Sequence, residues 1–280
     1  MSLSALRRVL SSLTMNMNMI YSAARYYDIA FGWRDVPAEC EFMLGRYQQA
    51  RGRAAASTLE VACGPGQHAR TFAARGLHSI GLDASKAMLE YAKSQPGGND
   101  PDVSWVLGDM RDFTLDDPVD LACCLMDSLS HLLTLDDLLA NLDAVARNTT
   151  PGGLYILEQS HPRDAFPHAE PALEREWEME DESGEITVYA TWGEPGDPFD
   201  FTTQVGLLTV TIRAEREGEV IFHQQEIIPS RLWLAGEMEA AIRASEGWRL
   251  RERFGAMDSR VPWQSKPPAW RMVSVLESNM

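Results

Sequence analysis

The stretch "STLEVACGPGQHARTFAARG", residues 57–76, constrains the fold more than any other part of the chain. An apolar run stops at two closely spaced glycines, and helical spacing begins at once. Apolar runs of this kind suit strands buried on both faces of a parallel sheet. Glycine allows torsions that a Cβ forbids and lets a ligand come close to the backbone. The helix that follows aims its free amides and positive dipole end at the same place.

The texture repeats over the next hundred residues. Strand candidates are Thr58–Cys63, Ser79–Asp83, Ser104–Leu107, Leu121–Met126 and Leu154–Glu158, with helical segments near Gln67–Ala74, Ser85–Lys93 and Leu135–Ala146. Alternation of strand and helix predicts an α/β fold with a mostly parallel sheet covered on both faces. Residues 21–53 carry apolar positions at helical spacing, so helices precede the first strand. After Glu158 the pattern changes to period two. "LEREWEME", "EITVYATWG", "TTQVGLLTVTIRAE" and "EVIFHQQEIIP" are separated by turn-rich segments, which predicts a small antiparallel sheet of about four strands. Helical spacing returns at Leu234–Ser245, followed by strand-like "WRLRERFG" and "WRMVSVLE".

At 280 residues the chain is long enough for one large domain or a core with an inserted subdomain. No apolar run approaches the roughly 18 residues needed to span a membrane, and polar residues interrupt the N-terminal segment, so a cytoplasmic protein without membrane contact is expected. The formal charge of −16 argues against a nucleic-acid partner. Much of that charge is local: residues 158–200 hold 13 acids against two arginines, which reads as a solvated surface or as a rim attracting a cationic substrate. Cys40, Cys63, Cys123 and Cys124 show no metal-ligand spacing and are expected to be buried thiols, and no metal site is expected.

Gly64-Pro65-Gly66-Gln67-His68-Ala69 satisfies G-x-G-x-x-[GA], and Asp83 lies 17 residues beyond Gly66. Alone, this suits a nicotinamide dinucleotide as well as S-adenosylmethionine, because both present a ribose for an acid to bind. Glu60 tips the balance. A carboxylate gains nothing beside a pyrophosphate but matches a cationic sulfonium and ammonium. Asp109 ends the third strand where an acid can accept from an adenine amine, and "NTTPGGLYILE" is a proline–glycine turn feeding a strand.

With these motifs in hand the sequence resembles a class I S-adenosylmethionine-dependent methyltransferase. "LEVACGPGQ" is similar to that family's acid-x-G-x-G-x-G signature, with Ala62 in place of the first glycine, a departure expected to matter little. "GLDAS", "GDM", "DLACCLMDSLSHLL" and "TPGGLYILE" resemble the following motifs, and "RLWLAGEMEAAIRASEGWRLRERFG" resembles the last helix and sixth strand. The resemblance implies a Rossmann-like, seven-stranded, mostly parallel sheet with an inserted antiparallel subdomain. It divides the chain into a helical lid at 1–56, a core at 57–160 and 234–280, and the insertion at 161–233. It also implies that Glu60 holds the methionine ammonium, Gly64 and Gly66 pass under the methionine, and Asp83 takes both ribose hydroxyls. Asp109 and the Met110 amide would clasp adenine, with Ala62, Ala84 and Met126 completing the cofactor contacts.

Transfer of a methyl group asks the protein to align a nucleophile and exclude water, and a neutral amine needs no base. The fourth motif lacks the proline pair of family members acting on planar nitrogens, which disfavours nucleobases. His161 and His131 follow the fifth and fourth strands at the carboxyl edge, where ligands bind in parallel sheets, and are the candidate catalytic groups. Asp127 is expected to fix loop geometry. Tyr27, with Tyr26, lies in "ARYYDIAFG", which resembles the family's lid helix near the methyl donor. His68 is expected to meet the cofactor through its backbone, and His168 and His223 to lie on the lid surface.

The insertion is similar to that of small-molecule N-methyltransferases, including glycine-type and amino-sugar enzymes. Its aromatics (Trp177, Tyr189, Trp192, Phe199, Phe201, Phe222) suit a wall over a small-molecule substrate or a contact in a homodimer, and patterning leaves both open. The reading is therefore methylation of an amine on a small molecule. O-methylation with His161 as base is the alternative, followed by an NAD-dependent oxidoreductase and a non-catalytic binding module.

Overall fold

A computed structural model describes residues 19–165 and 175–280, with side chains of 19, 164 and 165 left aside; His168 and the start of "LEREWEME" lie outside the described residues. In chain order, helices α1 (Met19–Ser22), α2 (Ala24–Ala30) and α3 (Val36–Arg51) precede strand β1 (Ser57–Val61). Then come α4 (Gln67–Ala73), β2 (His78–Asp83), α5 (Lys86–Ser94), β3 (Val103–Leu107), β4 (Val119–Cys124), α6 (Leu135–Arg147) and β5 (Thr149–Ser160). Strands β6 (Glu176–Glu180), β7 (Ile186–Trp192), β8 (Phe199–Asp200), β9 (Val205–Arg216) and β10 (Glu219–Arg231) follow. The described chain closes with α7 (Ala235–Ala244), β11 (Trp248–Phe254) and β12 (Arg271–Ser278).

Among the described residues these elements form two compact units, 19–34 with 175–231, and 35–165 with 232–280. The larger unit holds a seven-stranded sheet in the order β11-β12-β5-β4-β1-β2-β3, in which β12 runs antiparallel to both neighbours. One face packs Leu59, Val61, Leu82, Tyr155 and Leu157 against Leu138 and Leu142 of α6 and Met238 and Ile242 of α7. The other packs Leu121, Cys123, Leu154 and Ile156 against Val36, Cys40, Met43 and Tyr47 of α3. That apolar stripe is why α3 belongs to the core unit, so the first boundary falls after Arg34, earlier than the lid boundary at residue 56 read from sequence.

Local signals set the helix ends. The Asp35 carboxylate caps α3 through Ala38 N–H and left-handed Gly52 ends it, while Ser85 caps α5 and Thr134 with Asp137 forms a capping box on α6. Such caps contribute about 1 kcal/mol each. The proline–glycine segment 149–153 is not a turn. It starts β5, with Thr149 paired to Val119 and Leu154 to Leu121, and the register shift between them takes up three extra residues around Pro151 and left-handed Gly152.

At the amino end of β4, Asp120 accepts hydrogen bonds from Arg53 Nη2 at 2.7 Å, Tyr47 Oη at 2.8 Å and Ala56 N–H at 2.8 Å. Burial alone would raise its carboxyl, but the Arg53 guanidinium and these donors outweigh it and hold it at about 2.

In the smaller unit, β10-β9-β7-β6 make an antiparallel sheet with two-residue β8 added beside β9, a strand missed in the sequence. One face buries Ile186, Val188, Ala190, Val210, Ile212 and Ala214 with Ile20 and Ala30. Trp177, Trp192 and Phe222 pack into this same core, so half of the aromatics read as a wall are consumed by the unit itself. Tyr189 lies under the Arg213 guanidinium, and Phe199 and Phe201 form an exposed pair. Glu176, Glu178 and Glu180 alternate outward along edge strand β6, where charge discourages further strand pairing.

Candidate active site

β1 ends in Val61, and the backbone then turns through Ala62 (φ 54°), Gly64 (φ 51°) and Gly66 (φ 69°) into α4. Left-handed torsions are free for glycine and cost an L-residue roughly 1–2 kcal/mol. Ala62 therefore carries strain that glycine would not, and the substitution is not neutral as the sequence reading had it. The two glycines serve different ends. A Cβ on Gly64 would meet nothing within 4 Å, which leaves open space above the turn. A Cβ on Gly66 would lie 2.3 Å from the Trp105 ring, so that glycine makes room for an indole packed over the turn.

Asp83, at the tip of neighbouring β2, fixes the turn from the side. Its Oδ2 accepts from Gly64 N–H and its Oδ1 from Ser85 N–H, both at 2.7 Å. Burial raises its pKa, and the Ser85 and Gly64 amides work against that rise. The Ala84 amide acts in the same direction, and a carboxylate offers about four acceptor positions, so acceptor capacity remains for a hydroxyl donor. Exposed Ala84 follows it, and Ser85, not Asp83, caps α5.

Glu60 is buried, with Oε2 accepting from Ala69 N–H at 2.9 Å and Oε1 lying 3.2 Å from His68 Nδ1. Asp109 is exposed and paired with Arg111, which also bridges to Asp137 at 2.8 Å; the Arg111 guanidinium holds the Asp109 carboxyl below its ordinary value. The neighbouring Met110 carbonyl accepts from Asn141 Nδ2 at 2.9 Å.

The carboxyl ends of β4 and β5 carry a second charged group that sequence reading missed. Met126 (φ 56°) and Asp127 (φ 58°) are consecutive non-glycine residues in left-handed torsions. Strain of this kind persists only where the surroundings impose it, and it clusters at functional sites. Here Glu158, on β5, imposes it: its Oε2 accepts from Met126 N–H at 3.0 Å and its carbonyl from Asp127 N–H at 3.1 Å. Arg271, on β12, lies 3.3 Å from Glu158 Oε1 and donates to Ser160 Oγ, which in turn donates to Asp127 Oδ2 at 2.8 Å. Burial pushes the Asp127 carboxyl up to about 6 against the pull of Ser160 and Arg271. Glu158 was legible as an acid ending an apolar run, the signal that identified Glu60; Arg271 gave no signal.

The three candidate catalytic residues fare differently. His161 is buried, its Nε2–H donating to the Gln264 carbonyl at 2.9 Å and its Nδ1 accepting from Arg163 N–H at 3.2 Å, with the ring against Trp263. Both nitrogens are thus engaged, which is the arrangement of a loop-fixing residue. His131 ends a short 3₁₀ turn, Ser128–His131, directly after Asp127; burial lowers its pKa, so the ring is neutral at pH 7. Tyr27 belongs to the smaller unit, packed against Phe31 with ring centroids 4.5 Å apart. All four cysteines are buried and unpaired in disulfides; burial pushes the Cys124 thiol up to about 12.

Comparison with known proteins agrees with this fold. Residues 58–153 match the family described as methyltransferase domain. A dTDP-4-amino-2,3,4,6-tetradeoxy-D-glucose N,N-dimethyltransferase of Saccharopolyspora spinosa is 34% identical over 160 residues, covering 53% of this chain and 63% of that protein. The chain thus spans less than two thirds of that relative. Among solved structures, an S-adenosylmethionine-dependent methyltransferase of Clostridium acetobutylicum superposes with TM-score 0.71 at 15% identity, covering 91% of this chain and 96% of its own. DesVI of Streptomyces venezuelae superposes with TM-score 0.70 at 23% identity, covering 90% and 97%. No described helix is long and apolar enough to cross a membrane.

Proposed function

We propose that this chain, which carries a methyltransferase domain on the fold of S-adenosylmethionine-dependent methyltransferases, methylates the amine nitrogen of a small molecule, an amino sugar being the first class to test. The observation that carries the reading is the turn at Gly64, open above its backbone and locked from the side by a half-buried carboxylate, Asp83. Those residues fit S-adenosylmethionine: Asp83 keeps acceptor capacity for ribose hydroxyls, and Glu60 adds buried negative charge where a cationic group would lie. A pyrophosphate beside Glu60 would meet repulsion instead, which weighs against a nicotinamide cofactor. S-adenosylmethionine supplies a methyl group already activated on a sulfonium.

The chain's own residues have three tasks. Gly64, Asp83 and Glu60 hold the donor, with Ala62, Ala84, Gly66 and Met126 along the same edge and Met110 beside the adenine end. Asp109 reaches adenine only by sharing its carboxylate with Arg111. The Asp127–Glu158–Arg271 group shapes the acceptor side, since Glu158 fixes the strained residues that follow β4. Burial that lowers the His131 pKa to about 4 makes it a weak base, so the acceptor amine must arrive already neutral, and His131 would orient it rather than deprotonate it. His161 supports O-methylation poorly, because both of its ring nitrogens are already bonded.

Release of S-adenosylhomocysteine over a panel of amino sugars, other amines and phenols tests the reading. Turnover of amines supports it; turnover of phenols alone would favour O-methylation. A homodimer through the inserted sheet and a role for Tyr27 beside the donor remain parts of the proposal, tested by sedimentation and by the Tyr27→Phe variant.

A further inference from the structure

The tasks above leave a buried histidine unused. His68, in the first turn of α4, is 5% exposed and lies between two carboxylates. Its Nε2 is 2.7 Å from Glu39 Oε2 and its Nδ1 is 3.2 Å from Glu60 Oε1. Glu39 comes from the first turn of α3 and is itself buried; Glu60 comes from the tip of β1. A neutral imidazole has one N–H and one lone pair. Either tautomer would aim that lone pair at a carboxylate oxygen, among three side chains largely shut off from water. A ring protonated on both nitrogens donates to both carboxylates and leaves the trio with one net negative charge.

We propose that His68 is a positioning residue that carries both ring protons, ties Glu39 to Glu60, and thereby fixes the orientation and charge that Glu60 presents to the cationic methionine end of the cofactor. The inference rests on the reading of Glu60 given above. It also explains why two carboxylates from different helices and strands are tolerated side by side in the interior: removal of one partner from a buried ionic group leaves an uncompensated charge. Without the imidazolium, one acid must take up a proton or α3 must give way, and Glu60 loses its hold in either case. The same brace links the starts of α3 and α4 to β1, so the edge of the cofactor site and the first core helix are set together.

The test has two arms, both on the full chain. In the first, ligand-free protein labelled with ¹⁵N-histidine is examined by NMR at about pH 7.5, well above the ordinary range of a histidine. The resonances lost in His68→Gln should show both ring nitrogens protonated; a single-proton pattern overturns the proposal. Should that variant fail to fold, Glu39→Gln perturbs the same resonances and serves for assignment. In the second arm, calorimetry follows S-adenosylhomocysteine, which keeps the ammonium. His68→Gln should weaken binding about tenfold and Glu39→Gln by less. Unchanged affinity with a lowered Tm would reduce His68 to a packing residue and overturn the proposal. If the wild-type chain binds no S-adenosylhomocysteine, the proposed function fails, while the NMR arm still decides the protonation of His68.

Discussion

The two edges of the large sheet treat the same residue type in opposite ways. Asp120, at the amino end of β4, is surrounded by donors from Arg53, Tyr47 and Ala56 and is held at about 2. Asp127, seven residues later on the far side of the same strand, is pushed up to about 6 by burial, with only Ser160 and Arg271 working against the rise. Asp83 shares that carboxyl edge and is also raised. A fully satisfied carboxylate is a clamp. A half-buried carboxylate with a raised pKa and spare acceptors is destabilising by itself, and it persists where a ligand supplies what the fold withholds.

The contrast breaks most sharply at Asp83. Asp83→Ala should weaken S-adenosylmethionine binding by about 100-fold or more, since two charge-assisted hydrogen bonds of roughly 1.5–3 kcal/mol each are lost. Unchanged affinity in calorimetry would show that β2 does not face the ribose. Asp120→Ala should do the reverse, costing about 3 kcal/mol in denaturant unfolding by stranding its donors, with cofactor affinity kept.

Asp127→Asn sharpens the comparison through pH. The folded carboxyl, at about 6, lies above its unfolded value near 4, so the folded state holds the proton more tightly and wild-type stability falls as pH rises between these values. Asparagine cannot ionise, and the variant should gain on the wild type across that window while losing activity. Asp120 has the opposite sign: its contribution is complete above about pH 4 and is lost as pH falls toward 2. Urea unfolding at several pH values reads both. The smallest effect is Ala62→Gly, which should stabilise by about 1 kcal/mol by relieving a left-handed torsion, with no loss of binding.

Most of the fold was legible because its signals are local. Apolar runs, glycines and caps fixed β1 to β4 and α4 to α7 to within a few residues, since each depends on neighbours in sequence. What escaped depends on distant partners. Nothing near Glu158 reveals that its carboxylate holds the backbone of Met126, and nothing near Arg271 that it lies beside Glu158. The same holds for Gly66: nothing near it in sequence reveals that the Trp105 ring, 39 residues on, packs where its side chain would lie. The histidines divide likewise. His161 stood at the right edge of the sheet, but Gln264 had already engaged it. The proline–glycine segment read as a turn lies within β5 as an irregularity between Thr149 and Leu154, which pair with Val119 and Leu121 of β4.

The central claim is that the Gly64 turn with Asp83 and Glu60 receives a cationic sulfonium nucleoside. Equilibrium titration of the purified chain with S-adenosylmethionine and, in parallel, with NAD tests it most directly. The account requires saturable one-to-one binding of S-adenosylmethionine, lost in Asp83→Ala, and no binding of NAD. Binding of NAD with none of S-adenosylmethionine would contradict it.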